Sequence, residues 1–180
     1  MLIRLNTWSM SLKRVVWIMS KMDVHYSSKD MEWETPRDLF DALNDEFGFT
    51  LDPCATSQNA KCYKFFTIED NGLHKDWSKD VVFMNPPYGK EIPRWVEKAY
   101  NEALCGATVV CLIPARTDTS YWHKYIMLAD EIRFISGRVK FTNPTHRKPM
   151  AAPFPSCIVV FGERMRNGLT SKECVKCRSI

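Results

Sequence analysis

The sequence predicts an α/β fold with a largely parallel sheet. Three observations carry that expectation. Short apolar runs of strand type alternate with segments of helical periodicity. Gly48, Gly106 and the Pro86-Pro87 pair punctuate them. The 180 residues, 45% apolar and 26% charged, suffice for one domain with a sizeable core.

The elements are expected in the following order. Thr35 is suited to cap a first helix, with Pro36 at its first position and Asp38 completing a capping box. Leu39, Phe40, Leu43 and Phe47 then recur at helical spacing, and Gly48 ends the run. A strand over 49–51 reaches Asp52-Pro53, and 62–66 and 81–84 read as further strands. Pro93 opens a helix carrying Trp95, Val96, Ala99, Tyr100 and Ala103 on one side, which Gly106 stops. Residues 108–113 form a buried-type strand, 119–128 a helical stretch, and 131–135 and 157–161 the last strands. Ligands of such sheets bind beyond the carboxyl ends of the strands, where strand order reverses. Asp52 and Asn85 both fall at predicted carboxyl ends.

Residues 31–162 are expected to form the domain. Residues 1–30, which lack periodicity, read as a poorly ordered appendage in which Met22 offers an alternative start. Residues 163–180 read as a basic tail. No apolar run approaches the roughly 20 residues that span a bilayer, and no signal peptide is recognisable, so the expectation is a cytoplasmic protein away from membranes. Nothing points to an obligate protein partner.

The net charge of +4 is unevenly distributed. From Ile132 to Gly162 there is no acidic residue, while Arg133, Arg138, Lys140, Arg147 and Lys148 all lie there. Such a local positive surface suits a polyanion, although alone it equally describes a solvated loop. The seven cysteines are irregularly spaced. Cys105, Cys111 and Cys157 lie in apolar surroundings where a reduced thiol acts as a small hydrophobe. Cys174 and Cys177 form a lone pair without the second pair a structural zinc site needs, and the four histidines show no ligand spacing, so no metal is expected.

The most informative segment is Asn85-Pro86-Pro87-Tyr88, between an apolar strand and a helix. Two prolines fix φ and remove two backbone donors while leaving their carbonyls to accept. An amine on an aromatic ring is a poor nucleophile, because its lone pair is delocalised. Two acceptors holding both N–H bonds favour a more tetrahedral nitrogen. Asn85 Oδ1 and the Pro86 carbonyl can supply that pair, and Tyr88 a flat face for stacking. Catalysis of this kind is electrostatic and orientational and needs no covalent nucleophile.

The segment resembles the NPPY signature of amino-group methyltransferases. A longer set of stretches resembles one narrower family, the phage-type DNA N-6-adenine methyltransferases. These are residues 33–40 (WETPRDLF), 47–55 (FGFTLDPCA), 59–62 (NAKC), Asp76-Trp77, 85–89, 112–117 (LIPART) and 134–138 (FISGR). The resemblance implies a Rossmann-like methyltransferase fold, a mostly parallel sheet with helices on both faces and an antiparallel C-terminal strand, with S-adenosylmethionine as donor and adenine in double-stranded DNA as acceptor. It assigns Asn85, Pro86, Pro87 and Tyr88 to catalysis. Asp52 falls where the first cofactor motif ends its strand, followed by Cys54 and Ala55 in place of the usual glycine-rich turn. Asp76 resembles the acidic position that holds the cofactor's adenine, and Asp70 is a candidate for its ribose. Trp33, Thr35 and Pro36 resemble the motif that contacts the methionine end.

Adenine N6 lies inside the duplex and must be extruded, at a cost of a few kcal/mol. The basic, proline-rich segment 140–156 is long for a connector, which hints at function. Arg138 and Lys140, with Arg147 and Lys148, are expected on phosphates, Phe141 near the flipped base, and Arg116 in the same cleft. The rival expectations are methylation of cytosine N4, RNA or a protein amide, or a non-catalytic nucleic-acid-binding module. The family resemblance also suggests a phage or prophage origin, with a role in protecting DNA or altering host restriction.

Overall fold

The computed structural model describes residues 34–142 and 149–162. Strands β1 (Leu51–Asp52), β2 (Lys64–Phe65), β3 (Val81–Met84), β4 (Thr108–Pro114), β5 (Glu131–Phe134) and β8 (Ser156–Phe161) build a six-stranded sheet. Its order is β2-β1-β3-β4-β8-β5. The first four strands pair in parallel, and β8 lies antiparallel to both β4 and β5. The expected mostly parallel sheet with an antiparallel C-terminal strand is thus present. Two further strands, β6 (Lys140–Phe141) and β7 (Met150–Ala151), pair as a separate antiparallel ribbon that was not expected.

Helix α1 (Arg37–Phe47) covers one face of the sheet and α2 (Ile92–Cys105) the other. The alternation of strand side chains makes this possible. Phe83, Val110, Leu112, Ile158 and Val160 pack with Phe40 and Leu43 of α1. Val82, Met84, Val109, Cys111, Ile113, Val159 and Phe161 pack with Trp95, Val96, Ala99 and Ala103 of α2. Central strands apolar on both sides are the mark of a sheet buried on both faces. The short helix α3 (Ser120–Lys124) and a 3-10 turn (Ile126–Leu128) complete the second layer, where a single helix over 119–128 was expected.

Gly48 ends α1 as expected, in the left-handed conformation (φ 66°), its N–H donating to Asn44 O. The start of α1 differs. Pro36 occupies the cap position, no side chain caps the helix, and Thr35 stands outside it. Arg133, expected on the positive surface, is instead held by Glu46 and Glu131. Cys54, Cys62, Cys111 and Cys157 are free thiols. Cys105, expected to be reduced, is disulfide-bonded. Cys174 and Cys177 lie outside the described residues, as do the appendage and the tail. Among the described residues, no helix is long and apolar enough to cross a membrane.

A packed pair of tryptophans sits beneath the turn that follows β1. Trp77 is fully buried and stacks on Trp95 with centroids 6.2 Å apart. Its indole N–H donates to Gly72 O (3.1 Å), and its backbone N–H to the Glu102 carboxylate (2.7 Å). Gly72 in turn lies so close to the 53–55 turn that a Cβ there would fall 2.4 Å from the Pro53 carbonyl. Gly72→Ala is therefore expected to lower stability by about 1–3 kcal/mol, the cost of overpacking a tight site. Urea unfolding checks this, and an unchanged midpoint would contradict the close approach.

Candidate active site

Strand order reverses between β1 and β3: the chain leaves β1 for β2 on one side and returns for β3 on the other. Neighbouring loops therefore diverge at the carboxyl ends of these two strands, opening a crevice there. A cleft of about 1470 Å³ occupies this position. Asp52, Pro53, Cys54 and Ala55 line it from the end of β1, and Asn85, Pro86, Pro87 and Tyr88 from the end of β3. The two groups that the sequence placed at separate strand ends thus share one cavity.

Asp52 is buried at 5% exposure. Its Oδ1 accepts from Cys54 N (3.3 Å) and its Oδ2 from Lys61 N (3.1 Å). Burial pushes its pKa up to about 6, and the Lys61 and Cys54 N–H groups oppose that rise. The carboxylate thus ties the 53–61 loop to the sheet while facing a cavity.

The amide of Asn85 is held at one end only. Its Nδ2 donates to the hydroxyl of Thr35 at 3.1 Å, whereas its Oδ1 is buried with no partner. No N–H among the described residues donates to the Pro86 carbonyl. Among the described residues, two adjacent acceptors at the corner are thus without a partner, which for the buried Asn85 Oδ1 is unusual. Tyr88 is half-buried and lines the cleft. Its ring meets Phe141 at 5.9 Å and Phe154 at 5.3 Å, both edge to face. Its hydroxyl is buried without a partner, and burial drives its pKa far above the usual phenol range.

The structure gathers only part of the set expected from sequence. Thr35, Asp52, Cys54, Ala55, the four residues 85–88, Arg116 and Phe141 all line the cleft. Pro36 does not, and Trp33 lies outside the described residues, as do Arg147 and Lys148. Asp70 and Asp76 are exposed and do not line the cleft, although Glu69 and Asn71 on either side of Asp70 do. Asp70 accepts from the N–H and hydroxyl of Thr67, and Asp76 from Ser78 N, so both close local turns. These hydrogen bonds hold both carboxyls below their usual range. Arg138 and Lys140 are exposed but do not line the cavity. The sequence reading missed Glu34, Lys61, Trp95 and Phe154, which do. Trp95 carried a helical signal and was read only as a core residue of α2, whereas Lys61 and Phe154 come from loops, which carry no period.

An α/β sheet with an Asn-Pro-Pro-Tyr corner at its switch point has the layout of an amino-group methyltransferase. The chain belongs to the DNA N-6-adenine-methyltransferase (Dam) family, whose description matches residues 21–179. The matched span reaches beyond residues 31–162 on both sides. The chain is 33% identical over 129 residues to a protein of Haemophilus phage HP1 (strain HP1c1) named DNA N-6-adenine-methyltransferase. That alignment covers 70% of this chain and 74% of the phage protein. It is 32% identical over 105 residues to a protein of the same name from Escherichia phage T1, covering 57% of this chain and 44% of that one.

The stability consequence at the corner is direct. The Tyr88 hydroxyl has no partner to lose, so Tyr88→Phe is expected to leave stability unchanged or raise it by up to about 1 kcal/mol. A urea midpoint markedly below wild type would mean that the hydroxyl is hydrogen-bonded.

Proposed function

We propose that this protein transfers a methyl group from S-adenosylmethionine to N6 of an adenine turned out of duplex DNA, in the cytoplasm of a bacterial host. The observation that carries the reading is the pair of unpartnered acceptors at the corner, Asn85 Oδ1 and the Pro86 carbonyl. Family membership and the two phage relatives support it. On this reading the domain is a Rossmann-like methyltransferase.

The residues at the end of β1 fit the donor. The cleft has room for a nucleoside and a target base together, since small-molecule sites span roughly 300–1,000 Å³. Asp52 offers a buried carboxylate for hydroxyl groups. When bound, S-adenosylmethionine supplies a methyl group on a positively charged sulfur that leaves as a neutral thioether. The chain's own residues act on the amine. Asn85 Oδ1 and the Pro86 carbonyl each accept one N6–H, which draws the nitrogen lone pair out of the ring and aims it. Tyr88, braced by Phe141 and Phe154, stacks on the base. With the donor held beside Asp52, the lone pair so aimed would take up the methyl group that the departing thioether gives up. The extra N6 proton then passes to water, because a methylated aryl ammonium is a strong acid and needs no dedicated base. Arg116 at the rim, with Arg138 and Lys140 on the outer surface, is placed to meet phosphates.

Transfer of labelled methyl from S-adenosylmethionine into unmodified DNA, with mass spectrometry of the nucleosides, tests the reading. Wild type is expected to yield N6-methyladenine. Asn85→Ala is expected to lose at least about a hundredfold in kcat, as removal of one preorganised electrostatic contact does elsewhere. N4-methylcytosine as the sole product, or an undiminished variant, would overturn it.

Asp52 gives a second prediction. A pKa raised to about 6 means that the folded protein takes up this proton more readily than the unfolded chain. The group therefore subtracts stability as pH rises from the ordinary carboxylate range through about 6. If the ionised form accepts the donor's hydroxyls, donor binding must first expel that proton at acid pH. The dissociation constant for S-adenosylmethionine is expected to be flat above about pH 7. It should rise by up to about tenfold per pH unit below about 6. Asp52→Asn should bind weakly with a flat profile. Calorimetry across this range checks it, and a flat wild-type profile would remove Asp52 from the donor site.

A further inference from the structure

The hydrogen bond between Thr35 and Asn85 bears on how the corner is kept ready. Thr35 is 50 residues from Asn85 in sequence, buried at 4% exposure, and caps no helix. Its hydroxyl accepts from Asn85 Nδ2, the donor end of the amide. An asparagine amide has one acceptor end and one donor end, so a half-turn about its last bond exchanges them. Turned that way, Asn85 would present N–H groups to an amine that itself has only N–H groups to offer at this position. The Thr35 contact occupies the donor end and leaves Oδ1 free; because a hydroxyl can also donate, it selects this orientation as long as its own proton is turned away from the amide.

The backbone around Thr35 is clamped. Glu34 N donates to the Thr142 carbonyl (2.8 Å), and Thr142 N donates to the Glu34 carbonyl (3.1 Å). The residue before Thr142 is Phe141, whose ring packs against Tyr88. The 34–35 segment is therefore fixed to the same ribbon that braces the stacking tyrosine. The hydroxyl that orients the acceptor and the ring that holds the base share one mechanical frame.

We infer that Thr35 is a positioning residue: its hydroxyl fixes the Asn85 amide with the oxygen toward the substrate amine. This rests on the proposed amine methylation, and it differs from a contact between Thr35 and the methionine end of the donor. Removing the hydroxyl leaves an amide free to turn, and misaligned reactants lose rate by as much as about a hundredfold.

The test uses the full-length protein and duplex DNA, with kcat, KM for each substrate and donor affinity by equilibrium dialysis. Thr35→Val is nearly isosteric. It is expected to lower kcat by about tenfold to a hundredfold and leave donor affinity within about twofold. Thr35→Ser keeps the hydroxyl and should recover most of the rate. A carboxylate has no donor end to misplace, so in an Asn85→Asp background Thr35→Val should cost less than about threefold. That loss of effect is the mark of coupling between the two positions. Should Thr35→Val fail to fold, as judged by its melt, Thr35→Ala is read in the same cycle with the same outcomes. Three results would overturn the inference: an unchanged kcat, a raised donor dissociation constant with kcat intact, or equal losses in both backgrounds. Absence of transfer by wild type would instead defeat the proposed function itself, so the two failures are distinguishable.

Discussion

The reversal of strand order between β1 and β3 is the constraint from which the site follows. Parallel strands on the two sides of that reversal send their following segments apart, and a crevice opens where they part. The end of β1 delivers a buried carboxylate, Asp52, and the end of β3 delivers the Asn85 corner. Neither position needs a special device to reach the cleft. The Asn85 corner is carried there by β3, apolar on both faces, and Asp52 by the short β1, which β2 and β3 hold in register. The helices on the two faces make this geometry stiff, and the Trp77–Trp95 stack supports the turn that carries Pro53.

The site is costly in the currency of polar burial. Asn85 Oδ1 and the Tyr88 hydroxyl are buried without partners, and Asp52 is held in surroundings that disfavour its charge. Each such group destabilises by roughly 1–3 kcal/mol relative to a satisfied one. The core around it compensates: Leu51, Val82, Phe83 and Met84 next to the site are all at or below 1% exposure. Among the described residues, Tyr121 and Ser156 also bury a hydroxyl without a partner away from the cleft, so what distinguishes the site is that two unpartnered buried atoms and a buried carboxylate line one cavity.

Much of the fold was legible because two periodicities were strong. The helical spacing of Phe40, Leu43 and Phe47, and of Trp95, Val96, Ala99 and Ala103, located both long helices. Continuous apolar runs located β3, β4 and β8. The corner was legible because Asn-Pro-Pro-Tyr constrains its own backbone. Capping at Thr35 was misread for a physical reason. A buried hydroxyl can serve either a helix end or a distant amide, and only the tertiary structure shows Asn85 within reach. Asp70 and Asp76, assigned to the donor by resemblance, each give one carboxylate oxygen to a short-range hydrogen bond with Thr67 or Ser78, which sequence alone does not show. Arg133 counted toward a positive surface because its stretch holds no acids, but its partners Glu46 and Glu131 lie before that stretch. The β6–β7 ribbon, with Phe141 and Phe154 against Tyr88, left no trace because strands of two residues carry no period.

The most direct examination of this account is a crystal structure of the protein with S-adenosylhomocysteine and a short duplex containing adenine. The account predicts an extruded adenine against Tyr88. Its N6 should lie within about 3.2 Å of both Asn85 Oδ1 and the Pro86 carbonyl, with the ribose of the nucleoside beside Asp52. A nucleoside bound outside the β1–β3 cleft, or a target amine facing Asn85 Nδ2, would contradict it.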